Sequence, residues 1–198
     1  MAQSMTPELR LMVAPARTYA VLARQPSPVG PIAALRRPLL AAVVIGVSMA
    51  ISATRHVAPG LVLGTTLAWA FVVVLQLAIA LLLIAAPSRR TVGVPRALDL
   101  FFASHAPWSL WLLAVAALPA PLGRPVMPLL LLAVVPLMMT NRAIAAFFRE
   151  VLQYGSRRAA VHTAIHQALT WGTFVVLYGS AVALQPRIVG RFEAWFGS

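Results

Sequence analysis

The chain has 198 residues, 61% hydrophobic and 10% charged, with no cysteine and a formal net charge of +12. A soluble domain averages roughly 45–50% apolar and about 25% charged residues, so this composition excludes a water-solvated globule and makes lipid the natural solvent. The missing cysteines exclude disulfides, thiolate metal sites and cysteine nucleophiles, and the four acids, Glu8, Asp99, Glu150 and Glu193, are too scattered for carboxylate-rich chemistry.

The N-terminal arm, residues 1–36, opens on Thr6-Pro7-Glu8: a capping hydroxyl, a proline for the first helical position and an acid at the positive end of the helix dipole. Leu9, Met12 and Val13 then share a face, Pro15 interrupts, and Tyr19, Val21 and Leu22 follow beside Arg17 and Arg24. A short apolar face flanked by arginines predicts a helix lying in the headgroup layer. The prolines at 26, 28 and 31 make the next stretch a linker.

Crossing about 30 Å of hydrocarbon takes about 20 apolar residues. Five segments are expected to do so: about Arg37 to Ala53; Leu61 to Ala85, whose one amide is Gln76; Pro107 to Ala120, with its helix starting earlier, near Leu98 to Phe102; Val126 to Thr140; and about Ala164 to Leu184. The first apolar run lies behind a long basic arm and is read as a retained span, not a cleaved signal. The expected fold is therefore an all-α integral membrane protein. Residues 1–36 form an amphipathic arm, 37–185 a five-transmembrane-helix bundle, and 186–198 a short tail.

All sixteen basic residues are arginine, a bias also expected from a GC-rich bacterial genome. With five spans, twelve arginines fall in the N-terminal arm and the second and fourth loops, while Arg55, Arg124, Arg187 and Arg191 fall on the other side. Cytoplasmic segments collect positive charge, which places the N-terminus inside and the C-terminus outside. A re-entrant hairpin at segments three and four would leave Arg124 unexplained.

Between the spans, Asp99 stands three residues after Arg96 and is expected to pair with it at the interface rather than carry protons. Ile144, Phe147, Phe148, Val151 and Leu152 form an apolar stripe on a helix continuing from the fourth span, with Gly155 ending it and Ser156 capping the next. Arg17, Arg36, Arg37, Arg157 and Arg158 are the candidate contacts to anionic lipid headgroups. Gly60 and Gly64, with Gly172 and Gly179, are candidate helix-packing positions, first within the bundle and second between copies of the chain.

Catalytic patterns are missing: there is no H-E-x-x-H, no phosphate-binding glycine loop and no G-x-S-x-G. His162 and His166 are four apart, a spacing that can bind metal, and His105 could join one of them across a haem. No acid or thiol lies beside them in sequence, so a polar helix end is the expected role, with no cofactor and no metal. Trp108 and Trp111 suit either interfacial anchoring or contact with another protein.

Three segments resemble bacterial members of the Yip family, small five-span proteins named for eukaryotic relatives that interact with Ypt/Rab GTPases. They are MVAPARTYAVLARQPSPVGP, RTVGVPRALDLFFASHAPWSLWLL and FREVLQYGSRRAAVHTAIHQALTWGTFVVLY, and the likeness covers most of residues 11 to 185. It implies a five-helix bundle with a cytoplasmic N-terminus and a binding rather than enzymatic role. The acidic, tyrosine-containing N-terminal motif of the eukaryotic relatives has no match, so no functional residue is carried over.

The expected function is thus a non-catalytic, Yip-like structural or adaptor component of a bacterial inner membrane. Its expected partners are a bilayer containing anionic lipids and other membrane proteins or a second copy, with no nucleic acid. The alternatives are a small transporter or channel subunit, for which mid-span polar residues are few, and an accessory subunit of a respiratory or photosynthetic complex.

Overall fold

The computed structural model describes residues 6–25, 30–85, 92–118 and 131–196, with side chains up to residue 180 and at Ala183. Among the described residues every regular element is a helix. The arm forms α1 (Pro7–Val13) and α2 (Pro15–Arg24). Proline disfavours helical geometry at the residue before it, and Ala14 sits at φ −135° between the two. Thr6 caps α1, its Oγ1 accepting from the Leu9 N–H at 3.5 Å. A short α3 (Pro31–Ala34) leads into α4 (Arg36–Thr54), and α5 (Pro59–Ala85) follows.

Next come α6 (Val94–Ala103) and α7 (Ala106–Ala117), which divide where Pro107 removes an N–H and its ring would crowd the carbonyl four residues back. The chain tightens there: Ser104 N–H donates to Phe101 O at 3.0 Å and His105 N–H to Phe102 O at 3.1 Å. The last helices are α8 (Val134–Glu150) and α9 (Ser156–Phe196).

Among the described residues, three stretches are long and apolar enough to cross a membrane: Pro31–Thr54, Pro59–Ala85 and Val94–Ala117. Leu63, Leu67, Val74 and Leu82 stand exposed along α5, an outward apolar surface that suits lipid. The protein is a helical membrane bundle. The expected 119–125 linker with Arg124, the start of the fourth segment, the prolines at 26 and 28, and Arg89 and Arg90 lie outside the described residues. The fifth segment lies within α9, which continues as helix to Phe196 through most of the expected tail.

Helix direction is fixed by contacts at both ends. Near the arm, Arg37 at the start of α4 meets Asp99 of α6. At the far end, Arg55 follows α4 and donates to Ala116 O at 3.2 Å and Leu118 O at 2.9 Å, capping the carbonyl end of α7 with positive charge. The α4 helix and the α6–α7 stretch therefore run parallel, and α4 packs against both α5 and α7. His105 against His166 and Trp108 against Trp171 set α9 parallel to α7.

Helices α4 and α5 approach closely at Gly46. A Cβ there would lie 2.8 Å from the Thr66 backbone, and Thr65 Oγ1 donates to Gly46 O at 2.8 Å. Among the described residues, a Cβ at the expected packing positions Gly60, Gly64, Gly172 or Gly179 meets nothing within 4 Å.

The best-packed core lies at the arm end. Ile144, Phe147, Phe148, Val151 and Leu152 are fully buried, as the stripe required, and Leu11 and Tyr19 join them. The arm's buried face is therefore turned to protein: α2 packs on α8, with the Tyr19 and Phe147 rings edge-to-face at 5.8 Å. Leu9 and Val13, expected to share the apolar face, are exposed, while Leu11 is buried. The α8–α9 corner also differs from expectation. Gln153 (φ 57°), not Gly155, takes the left-handed conformation, and its side-chain amide donates to Glu150 O at 2.8 Å.

Candidate functional site

The polar residues of the arm end converge on Asp99, one turn into α6. Its Oδ2 lies 2.7 Å from Arg37 Nη1 and 3.0 Å from Arg96 Nη1, and its side chain is 12% exposed. Arg37 also donates to the Asp99 backbone carbonyl at 3.2 Å, and through Nη2 to Glu8 Oε1 at 2.8 Å. Arg96 reaches Leu22 O at 3.5 Å. One chain of charge-assisted bonds thus joins α1, α4 and α6 and touches the end of α2. A planar guanidinium with several donors suits this bridging better than an ammonium would.

Tyr19 completes the junction. Its ring is fully buried and its hydroxyl donates to Leu100 O at 3.0 Å. Burial pushes the Tyr19 phenol well above its ordinary value, so it stays a neutral donor. For Glu8, burial alone would raise the carboxyl. The Arg37 hydrogen bond, with a backbone bond and the Arg37 and Arg36 charges, outweighs it and holds Glu8 below the usual carboxylate range.

The candidate lipid contacts divide. Arg17 and Arg36 are exposed at the arm end, and Arg157 and Arg158 are exposed at the start of α9. Arg158 also lies 4.1 Å over the Tyr154 ring. Arg37 is engaged within the protein: both ends of its guanidinium are held by Glu8 and Asp99, and its side chain is 23% exposed. Two residues not singled out for lipid, Arg142 and Arg149 of α8, line one groove with Arg17, against Pro15 and Ala16 of α2. Arg17 and Arg142 make no ion pair among the described residues, and Arg149 lies 3.8 Å from Glu150.

The histidines part company. His162 sits against the Tyr154 ring at 4.7 Å, with its Nδ1 2.9 Å from Arg158 O. His166 turns inward, 1% exposed, to meet Phe101 at 5.2 Å and His105 at 6.0 Å. The sequence pair at 162 and 166 is thus divided, and the spatial pair is His105 with His166. Among the described residues no three histidine or acidic side chains gather as metal ligands. Gln167 links α9 to α8: it donates to Asn141 Oδ1 at 2.6 Å and accepts from Trp171 Nε1 of its own helix at 2.9 Å. Trp108 packs inside the chain, on Trp111 at 5.4 Å and Trp171 at 5.7 Å.

Sequence spacing reached Asp99–Arg96, because an i, i+3 pair is local. The Arg37–Glu8 and Arg37–Asp99 pairs, 29 and 62 residues apart, carry no local signal. The available clue was scarcity: with sixteen arginines and four acids, each acid was certain to be contested. Comparison of the chain with family models, with curated proteins and with solved structures gives no match.

Proposed function

We propose that this chain is a non-catalytic, Yip-like adaptor of a bacterial inner membrane, with five spans, a cytoplasmic N-terminus and a C-terminus on the opposite side. The observation that carries the reading is the seated arm. Tyr19 and Arg37 hold the segment against the bundle, so Arg17, Arg142 and Arg149 stand together at a groove rim. Fixed cations at the foot of a membrane bundle form an electrostatic platform. Each basic residue near an anionic membrane contributes about 1 kcal/mol of attraction. The same rim can receive an acidic face of a neighbouring protein. Asp99, the acid a transport pathway would need, is held between two arginines, which favours a structural role for it.

The test uses the full chain extracted in mild detergent, beside a variant carrying Arg17→Gln, Arg142→Gln and Arg149→Gln. An adaptor retains a membrane partner in stoichiometric amount, and the variant loses most of it. Vesicles containing the purified protein should pass no more protons or solute than empty ones. A flux abolished by Asp99→Asn contradicts the adaptor reading and favours a transporter.

A further inference from the structure

A cavity of about 190 Å³ opens among α4, α5, α7 and α9. Its walls are apolar and aromatic, with Trp69, Trp108, Trp171 and Phe174 among them. Four neutral polar side chains interrupt this lining: Gln76 of α5, His105 just before α7, Ser109 of α7, and Thr170 of α9. Gln76 stands within the most apolar span, half-buried, and its side chain makes no hydrogen bond among the described residues. A primary amide inside hydrocarbon is costly without a partner, so an unpartnered one on a cavity wall calls for an occupant that can bond to it. Ser104 Oγ donates to Phe101 O at 2.6 Å and therefore accepts from His105 Nδ1–H at 3.2 Å, which leaves His105 Nε2 as an acceptor. Thr170 Oγ1 is already 3.4 Å from His166 Nε2, and as a hydroxyl it keeps further bonding capacity.

We infer that this cavity is a binding site for the head of a lipid-soluble quinone, with the isoprenoid tail leaving between helices into the bilayer. Size, charge and polarity each narrow the class. A cavity of about 150 Å³ takes up a benzene ring, so this one has room for a single substituted ring. No charged side chain lines it, which excludes an ionic ligand. The indole and phenyl walls suit a flat ring. The Gln76 amide and the Ser109 and Thr170 hydroxyls can donate from three different helices, which matches carbonyl oxygens on separate edges of one ring. An acyl chain would fill the space but leave Gln76 unpaired.

The three tryptophans on the wall supply the readout, because a quinone quenches an excited indole it touches. The full chain in lipid nanodiscs is titrated with decylubiquinone, with decylbenzene as a competitor of similar shape that lacks carbonyls. The expected result is saturable quenching near one quinone per chain, not displaced by equimolar decylbenzene. Gln76→Leu should weaken the affinity about ten-fold, as expected for one lost hydrogen bond in a dry site. Val72→Phe, which narrows the cavity without touching its polar groups, should weaken it as well, and unchanged helical circular dichroism identifies variants that remain folded. Quenching that rises linearly without saturating, equal competition by decylbenzene, or unchanged affinity in folded Gln76→Leu overturns the assignment.

Discussion

Asp99→Asn removes the charge on which the arm junction converges and keeps the shape of the side chain. An exposed i, i+3 pair would lose only about 0–1 kcal/mol, the range measured for surface ion pairs. The structure places Asp99 in a different class. Its side chain is 12% exposed, and two guanidiniums, themselves 23% and 15% exposed, lie within 3.0 Å of one carboxylate oxygen. Removing one member of a buried ionic set costs about 3–5 kcal/mol, because the partners keep their charge and lose their counterion. The asparagine carbonyl still accepts one hydrogen bond and both arginines retain some water, so the expected loss is about 2–3 kcal/mol. The assay is denaturant unfolding in mixed micelles, followed by tryptophan emission, on wild type, Asp99→Asn, Arg37→Met and the double variant. The two single changes should be strongly non-additive, since each breaks the same contact. A loss under about 0.5 kcal/mol for Asp99→Asn, with additive single effects, would refute the reasoning that burial makes this pair costly to break.

Tyr19→Phe deletes a single hydroxyl and strands the Leu100 carbonyl, so it should cost about 1–2 kcal/mol and speed proteolysis within the arm before the spans. Gly46→Val should destabilise by about 1–3 kcal/mol, because the Thr66 backbone cannot move away without parting α4 from α5, whereas Gly64→Ala should be neutral or slightly stabilising in the same unfolding assay. Glu8 has a lowered value in the folded chain, so its contribution is present above the ordinary carboxylate value of 4.5 and is lost as pH falls through the folded value. Arm proteolysis should therefore quicken in acid, and Glu8→Gln should remove that part of the pH response. Terminal reporter fusions should place the N-terminus and C-terminus on opposite sides of the membrane, and both ends on one side would contradict five spans.

What could be read from sequence followed the range of the interaction. The all-helical class, the three apolar helices and the buried stripe on α8 follow from composition and 3.6-residue periodicity, which are local properties. The Asp99–Arg96 pair is local as well. The arm was legible as helix, cap and proline break, but not as to what its apolar face would cover. Lipid and a protein groove both accept Leu11 and Tyr19, and only the tertiary arrangement of Phe101 and Phe147 decides. The close α4–α5 contact falls at Gly46, flanked four residues either way by the buried Ala42 and Ala50, a small-residue spacing that an alanine-rich chain repeats too often to single out one face. The two-histidine spacing was equally ambiguous: residues four apart on one helix can still meet different neighbours, and His162 and His166 do.

The seating of the arm is the most direct point of attack, and the absence of native cysteine makes it accessible. Spin labels on Arg17→Cys and Arg142→Cys, two exposed positions on one groove, report the arm-to-bundle distance in native-lipid nanodiscs. A seated arm gives one short, narrow distance distribution that broadens when Arg37→Met cuts the link to Glu8 and Asp99. A broad distribution in the unaltered background, unchanged by Arg37→Met, would mean that the arm lies free on the membrane and that the groove rim does not exist as a fixed platform.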